Sequence, residues 1–144
     1  MSTPASTTAA WLAANPPPDT AFVQSLAGVA RRVLAGESFD VAVRELLDEL
    51  ALLQTDAQRV RALAEEPALT GDRPHDAYLA ALGEHFSLRF GIARPAWVTR
   101  PERFLDRFWF RSDVPGFRAI AIAQSPAAFR RRGIFIARGA LERC

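Results

Sequence analysis

FVQSLAGVARRVLAGESFDVAVRELLDELALL, residues 22 to 53, decides the fold class. Read at 3.6 residues per turn, Phe22, Val23, Leu26, Val29, Ala30, Val33 and Leu34 form one apolar stripe that ends at Gly36, with Asp19 ahead of it as N-cap. Ser38 then caps a second helix whose apolar side is Phe39, Val43, Leu46, Leu47, Leu50 and Leu53. So short a link makes the two an antiparallel hairpin.

Working outward toward the C-terminus, Thr55 and Gln58 match a T-x-x-Q capping box and open a third helix that stops before Pro67. A polar loop from Thr70 to Arg73 follows. Pro74 suits the first turn of a fourth helix carrying Leu79, Leu82, Phe86 and Phe90 up to Gly91. Beyond Gly91 the texture changes: Pro95, Pro101, Pro115 and Pro126 cut the chain into short pieces dense in aromatic side chains. Thr99 and Glu102 form a second capping box around Pro101, which predicts a short helix over ERFLDRFWF, residues 102 to 110. FRAIAIAQ, residues 117 to 124, alternates in a way that suits strand or helix, and Asp113 and Pro115 ahead of it favour helix. Ser125-Pro126 repeats the cap-then-proline signature before AAFRRR, which Gly133 terminates.

Toward the N-terminus, residues 1 to 18 are rich in Ser, Thr, Ala and Pro and end in Pro16-Pro17-Pro18, the composition of a disordered tail. Its large apolar side chains, Trp11 and Leu12, are expected to dock onto the domain. The expected architecture is therefore all-α: one compact multi-helix domain over residues 19 to 144 with little or no sheet. It has an acidic helical part (19–91) and a basic, aromatic-rich part (92–144).

The composition, 49% hydrophobic and 24% charged, is that of a folded domain. No segment approaches the roughly 18 consecutive apolar residues of a membrane span. The start lacks a secretory n-region and h-region, so the expectation is a cytoplasmic protein with no membrane partner. Cys144, the single cysteine, is the last residue and is not placed for a lipid anchor. The formal net charge of +2 hides a polarity: residues 1 to 88 carry 6 Arg against 12 acids, and residues 89 to 144 carry 12 Arg against 4. All 18 basic residues are arginine. Opposite halves of this kind satisfy each other within a domain, bind an acidic partner or nucleic acid, or associate head to tail as a homo-oligomer.

No catalytic constellation is visible. His75 and His85, ten residues apart, lie roughly 80° from a common line on a helix, unlike a chelating i, i+4 pair. No arginine stands at the R-x(4–6)-H spacing of helical HEPN ribonucleases, and no G-x-S-x-G, Walker or Rossmann glycine pattern occurs. Ser125 has the position of an N-cap rather than a nucleophile. Neither a metal nor a cofactor is expected.

Two stretches point to binding. On a helix, Phe104, Leu105, Phe108 and Trp109 would share one face while Arg103, Arg107 and Arg111 recur every four residues beside it. Arginine stems cover apolar surface, so one reading is a shielded core helix with Phe104, Leu105 and Phe108 inside. Aromatics beside arginine also mark protein hot spots and single-stranded nucleic-acid binders, which leaves Trp109, Phe110 and the arginines for partner binding. Arg130, Arg131 and Arg132 fan across roughly 200° on a helix, so all three do not point into one core. Near a helix C-terminus the macrodipole favours them, and they also suit phosphates, although base-reading Asn or Gln is sparse.

The region that runs from AYLAALGEHFSLRFGIARPAWV (77–98) through PERFLDRFWF (101–110) to SPAAFRRRGIFI (125–136) spans somewhat under half the chain. It resembles small actinobacterial proteins associated with toxin–antitoxin-like gene pairs, whose partner is a nucleotidyltransferase-fold toxin related to the AbiEii group. The resemblance implies an interaction protein that neutralises an enzyme, by covering an active site, and it names no chemistry of its own. Antitoxins of the AbiEi type carry an N-terminal winged helix, a pattern residues 1 to 88 do not show. The expected function is thus a non-enzymatic antitoxin or accessory protein, with a nucleic-acid-binding transcriptional regulator as the alternative. The expected binding residues are Arg103, Arg107, Trp109, Phe110, Arg111, Arg130, Arg131 and Arg132.

Overall fold

A computed structural model describes residues 23–112, 114 and 116–142; of Arg138 it describes the backbone only. Six helices dominate the described residues, so the fold is mostly α, as expected. The expected cap at Asp19, the tail with Trp11 and Leu12, and Cys144 lie outside the described residues.

Helix α1 (Leu26–Leu34) starts later than its stripe suggests, because Ser25 is the N-cap and its hydroxyl accepts from the Gly28 N–H at 2.9 Å. Helix α2 (Phe39–Leu50) is capped by Ser38 as expected, and Leu53 lies beyond its end. Helix α3 (Asp56–Ala64) has both halves of its capping box, Thr55 to the Gln58 N–H and Gln58 back to the Thr55 N–H. Helix α4 (Arg73–Phe90) runs from Asp72, whose carboxylate accepts from the His75 N–H, to Gly91. Every residue from Asp76 to Gly83 is buried, which makes α4 the central helix, with no face open to water along that length. Gly83 permits this: a Cβ there would lie 3.0 Å from Val98 and 3.2 Å from Trp97.

Residues after Gly91 wrap this centre. Trp97 sits in a 3-10 turn (Ala96–Thr99) and donates its indole N–H to the Leu63 carbonyl at 3.1 Å. The helix expected over residues 102 to 110 does not form. Thr99 turns its hydroxyl to the Ala96 carbonyl instead of capping, only Pro101–Arg103 make a 3-10 turn, and the chain then extends into strand β1 (Trp109–Phe110). Strand β1 pairs in parallel with β2 (Ile134–Phe135), Trp109 opposite Ile134. Backbone bonds from Leu105 to Arg132 (3.1 Å) and from Trp109 to Gly133 (2.8 Å) extend the contact. Aromatic and β-branched residues that find a partner strand prefer it to a helix whose cap is missing.

Helices α5 (Phe117–Gln124) and α6 (Ala127–Arg130) connect the two strands. Ser125 is not the cap of α6, which has no side-chain cap; its hydroxyl is buried and bonds the Ile136 N–H (2.7 Å) and carbonyl (3.1 Å) instead. Gly133 turns the chain from α6 into β2 with φ of 81°, a conformation that costs other residues strain.

Candidate functional site

The eight expected binding residues are not one surface. Arg103 is 1% exposed: its guanidinium bonds the Pro67 and Asp76 carbonyls and lies 5.1 Å from the Trp97 ring. Arg132 is equally buried; it bonds the Glu84 carboxylate, the Val98 carbonyl (2.6 Å) and the Ala128 carbonyl (2.7 Å), above the Phe104 ring. Both are corrections to the expected binding set. Charged groups in the core are tolerated there because backbone carbonyls and a carboxylate pair them, and the irregular turns around them have carbonyls to offer.

Glu84 gathers Arg94 (3.2 Å), Arg131 (3.0 Å) and Arg132. Burial pushes its carboxyl upward, but the Arg132 hydrogen bond and charge, with Arg131 and Arg94 behind them, win and hold it below the usual carboxylate range. Arg131 also lies 5.5 Å from the Phe104 ring. Arg130 reaches back to the Ile122 (3.1 Å) and Ser125 (3.3 Å) carbonyls and so satisfies the C-terminal end of α5, while remaining exposed itself. Arg107 is exposed and has no ion-pair partner among the described residues.

Trp109 is half-buried, with its ring edge-on to Tyr78 and His75. Arg111 pairs with Asp40 and lies 4.5 Å from the Tyr78 ring centre, 5.4 Å from Phe39 and 5.9 Å from Trp109. Phe110 stacks on Phe135 at 5.0 Å, and Arg118 of α5 lies 5.0 Å over the Phe110 ring.

Phe108 overturns the core assignment made for it: it is 75% exposed and touches Phe135 edge-on. It belongs to a patch the residue pattern did not reveal. On α5 only Ala121 is buried, while Ile120 and Ile122, with Ala119 and Ala123 beside them, face water. Val114, just ahead of α5, is exposed too. The signal in the sequence was the apolar run on all sides of FRAIAIAQ, a composition that suits a helix covered all round. Arg118 lies over the Phe110 ring, Arg130 bonds the Ile122 carbonyl, and the exposed Arg107 precedes Phe108 in the chain.

The histidines stand apart from one another. His75 stacks face to face on Phe39 at 3.8 Å, and burial with the nearby Arg89 holds the His85 pKa below its ordinary value. Among the described residues no group of three His, Cys, Asp or Glu side chains is placed to hold a metal, and no helix is long and apolar enough to cross a membrane. Compared with protein-family models, with curated protein sequences and with solved structures, the chain matches none.

Proposed function

We propose that the chain is a non-enzymatic interaction protein, an antitoxin or accessory subunit that binds and neutralises a nucleotidyltransferase-like toxin. The observation that carries the reading is α5, an eight-residue helix in which only Ala121 is buried and Ile120 and Ile122 are exposed, with Phe108 exposed as well. Contiguous apolar surface with a polar rim is what protein partners cover. The rim supplies the partner's chemistry: Arg107, Arg118 and Arg130 ask for carboxylates. Enzymes that move nucleotides hold divalent cations with carboxylates, so the mouth of such an active site offers an acidic surface that complements this one. The binding set is then Arg107, Phe108, Phe110, Arg118, Ile120, Ile122 and Arg130, which keeps Arg107, Phe110 and Arg130, drops Arg103, Trp109, Arg111, Arg131 and Arg132, and adds Phe108, Arg118, Ile120 and Ile122.

A nucleic-acid-binding regulator is the second reading, favoured by Phe108 and Phe110 beside Arg107 and Arg118, since bases stack on aromatic rings flanked by cations. Against it, Val114, Ile120 and Ile122 are aliphatic and offer a base no stacking partner.

The test is retention by the tagged full chain in its native host at low and high salt, with nuclease treatment. The first reading predicts a stoichiometric nucleotidyltransferase-fold protein that resists nuclease and is lost by Ile120→Asp/Ile122→Asp. Nuclease-sensitive material whose affinity falls steeply with salt, through counterion release, would replace it with the second.

A further inference from the structure

A cleft of about 370 Å³ opens between α2, α4 and β1, within the size range of small-ligand sites. Asp40, Arg44, His75, Tyr78, Trp109 and Arg111 line it. Its chemistry is unbalanced in one respect. Arg111 is held in place by the Tyr78, Phe39 and Trp109 rings, so its guanidinium is preorganised rather than floating in solvent. Its carboxylate partner, Asp40, is 69% exposed and sits at the rim. Arg44 follows one helical turn later on the same face of α2, and among the described residues it pairs with no acid. Two arginines thus line one cleft, with one exposed carboxylate among the lining residues.

The walls are flat. The half-buried Trp109 ring forms one side, and His75, backed by its stack on Phe39, forms another. We propose that this cleft binds a small planar ligand bearing an anionic group, its phosphate or carboxylate bridging Arg44 and Arg111 while its ring lies against Trp109. A nucleoside monophosphate has this chemistry, and so does an aromatic carboxylate. Planar, forked donors of this kind bind either anion in a bidentate manner. No residue of α5 lines the cleft, so the site stands or falls independently of the docking face.

The experiment titrates the full chain with a nucleoside monophosphate, with benzoate and with the unphosphorylated nucleoside, following the Trp109 indole N–H resonance assigned through Trp109→Phe. The buried Trp97 is the internal control. One of the two anions shifts Trp109 to saturation while the nucleoside does not, and which anion does so identifies the source of the charge. Arg44→Ala, an exposed position whose loss leaves the thermal midpoint unchanged, weakens that binding at least about tenfold. A silent Trp109, an equal response to the uncharged nucleoside, or an unchanged affinity in Arg44→Ala overturns the proposal.

Discussion

Arg131 and Arg132 are neighbours that reach the same carboxylate, yet they hold opposite places in the molecule. The Arg132 side chain is wholly buried and that of Arg131 is 44% exposed. Removing Arg132 leaves Glu84 without its closest partner and strands two buried carbonyls, so Arg132→Ala is expected to cost about 3–5 kcal/mol of unfolding free energy. Arg131→Ala, by contrast, removes a solvated ion pair worth about 0–1 kcal/mol. Denaturant titration of the two variants checks the contrast. The same group sets an acid limit. Because the folded Glu84 carboxyl lies below its unfolded value of about 4.3, the stability it contributes is present above that pH and drains as pH falls through the folded value. His85, held below its unfolded value of about 6.5, starts the decline earlier: the unfolded chain takes up that proton first. Thermal midpoints between pH 7 and 3 are expected to fall in two stages, with His85→Gln removing the first.

At the scale of elements, the helices whose caps lie next to their own stripes were legible. Ser38 with Phe39 and Val43, Thr55 with Gln58, and Pro74 just inside α4 are local signals, and local hydrogen bonds answer them. Residues 102 to 110 were not legible, because what decides them lies over 20 residues away. Trp109 takes its backbone partner from Gly133, and Arg103 finds carbonyls at Pro67 and Asp76. The i, i+4 recurrence of Arg103, Arg107 and Arg111 imitates a helix stripe, but the three end up buried, exposed and stacked on rings. Arg118 and the isoleucines of α5 went unread for a different reason: nothing in FRAIAIAQ says that its apolar sides lack a cover within the domain. Gly133 joins the Arg130–Arg132 segment to β2 at φ 81°, so Gly133→Ala is expected to lose about 1–2 kcal/mol through backbone strain alone. The same denaturant titration reads it. Ile120→Asp/Ile122→Asp, on the exposed side of α5, is expected to leave stability within about 0.5 kcal/mol.

The charge polarity of the whole chain now has a physical account. Acids of the first part meet arginines of the second at Asp40–Arg111, Glu66–Arg100 and the Glu84 cluster, so much of the opposite charge is neutralised inside one domain. The cations left facing water include Arg107, Arg118 and Arg130, whereas Arg131 and Arg132 both go to Glu84, so the arginine triplet does not act as a unit. Partner binding should therefore be insensitive to Arg131→Ala and weaken about three- to thirtyfold on Arg118→Ala, read by titration calorimetry with the captured partner. The docking claim meets its most direct test in amide hydrogen exchange of the free and partner-bound chain. Protection on binding is expected to concentrate on Phe117–Gln124 and on residues 107–110. Protection confined to α1–α3, with α5 exchanging as in the free chain, would contradict it.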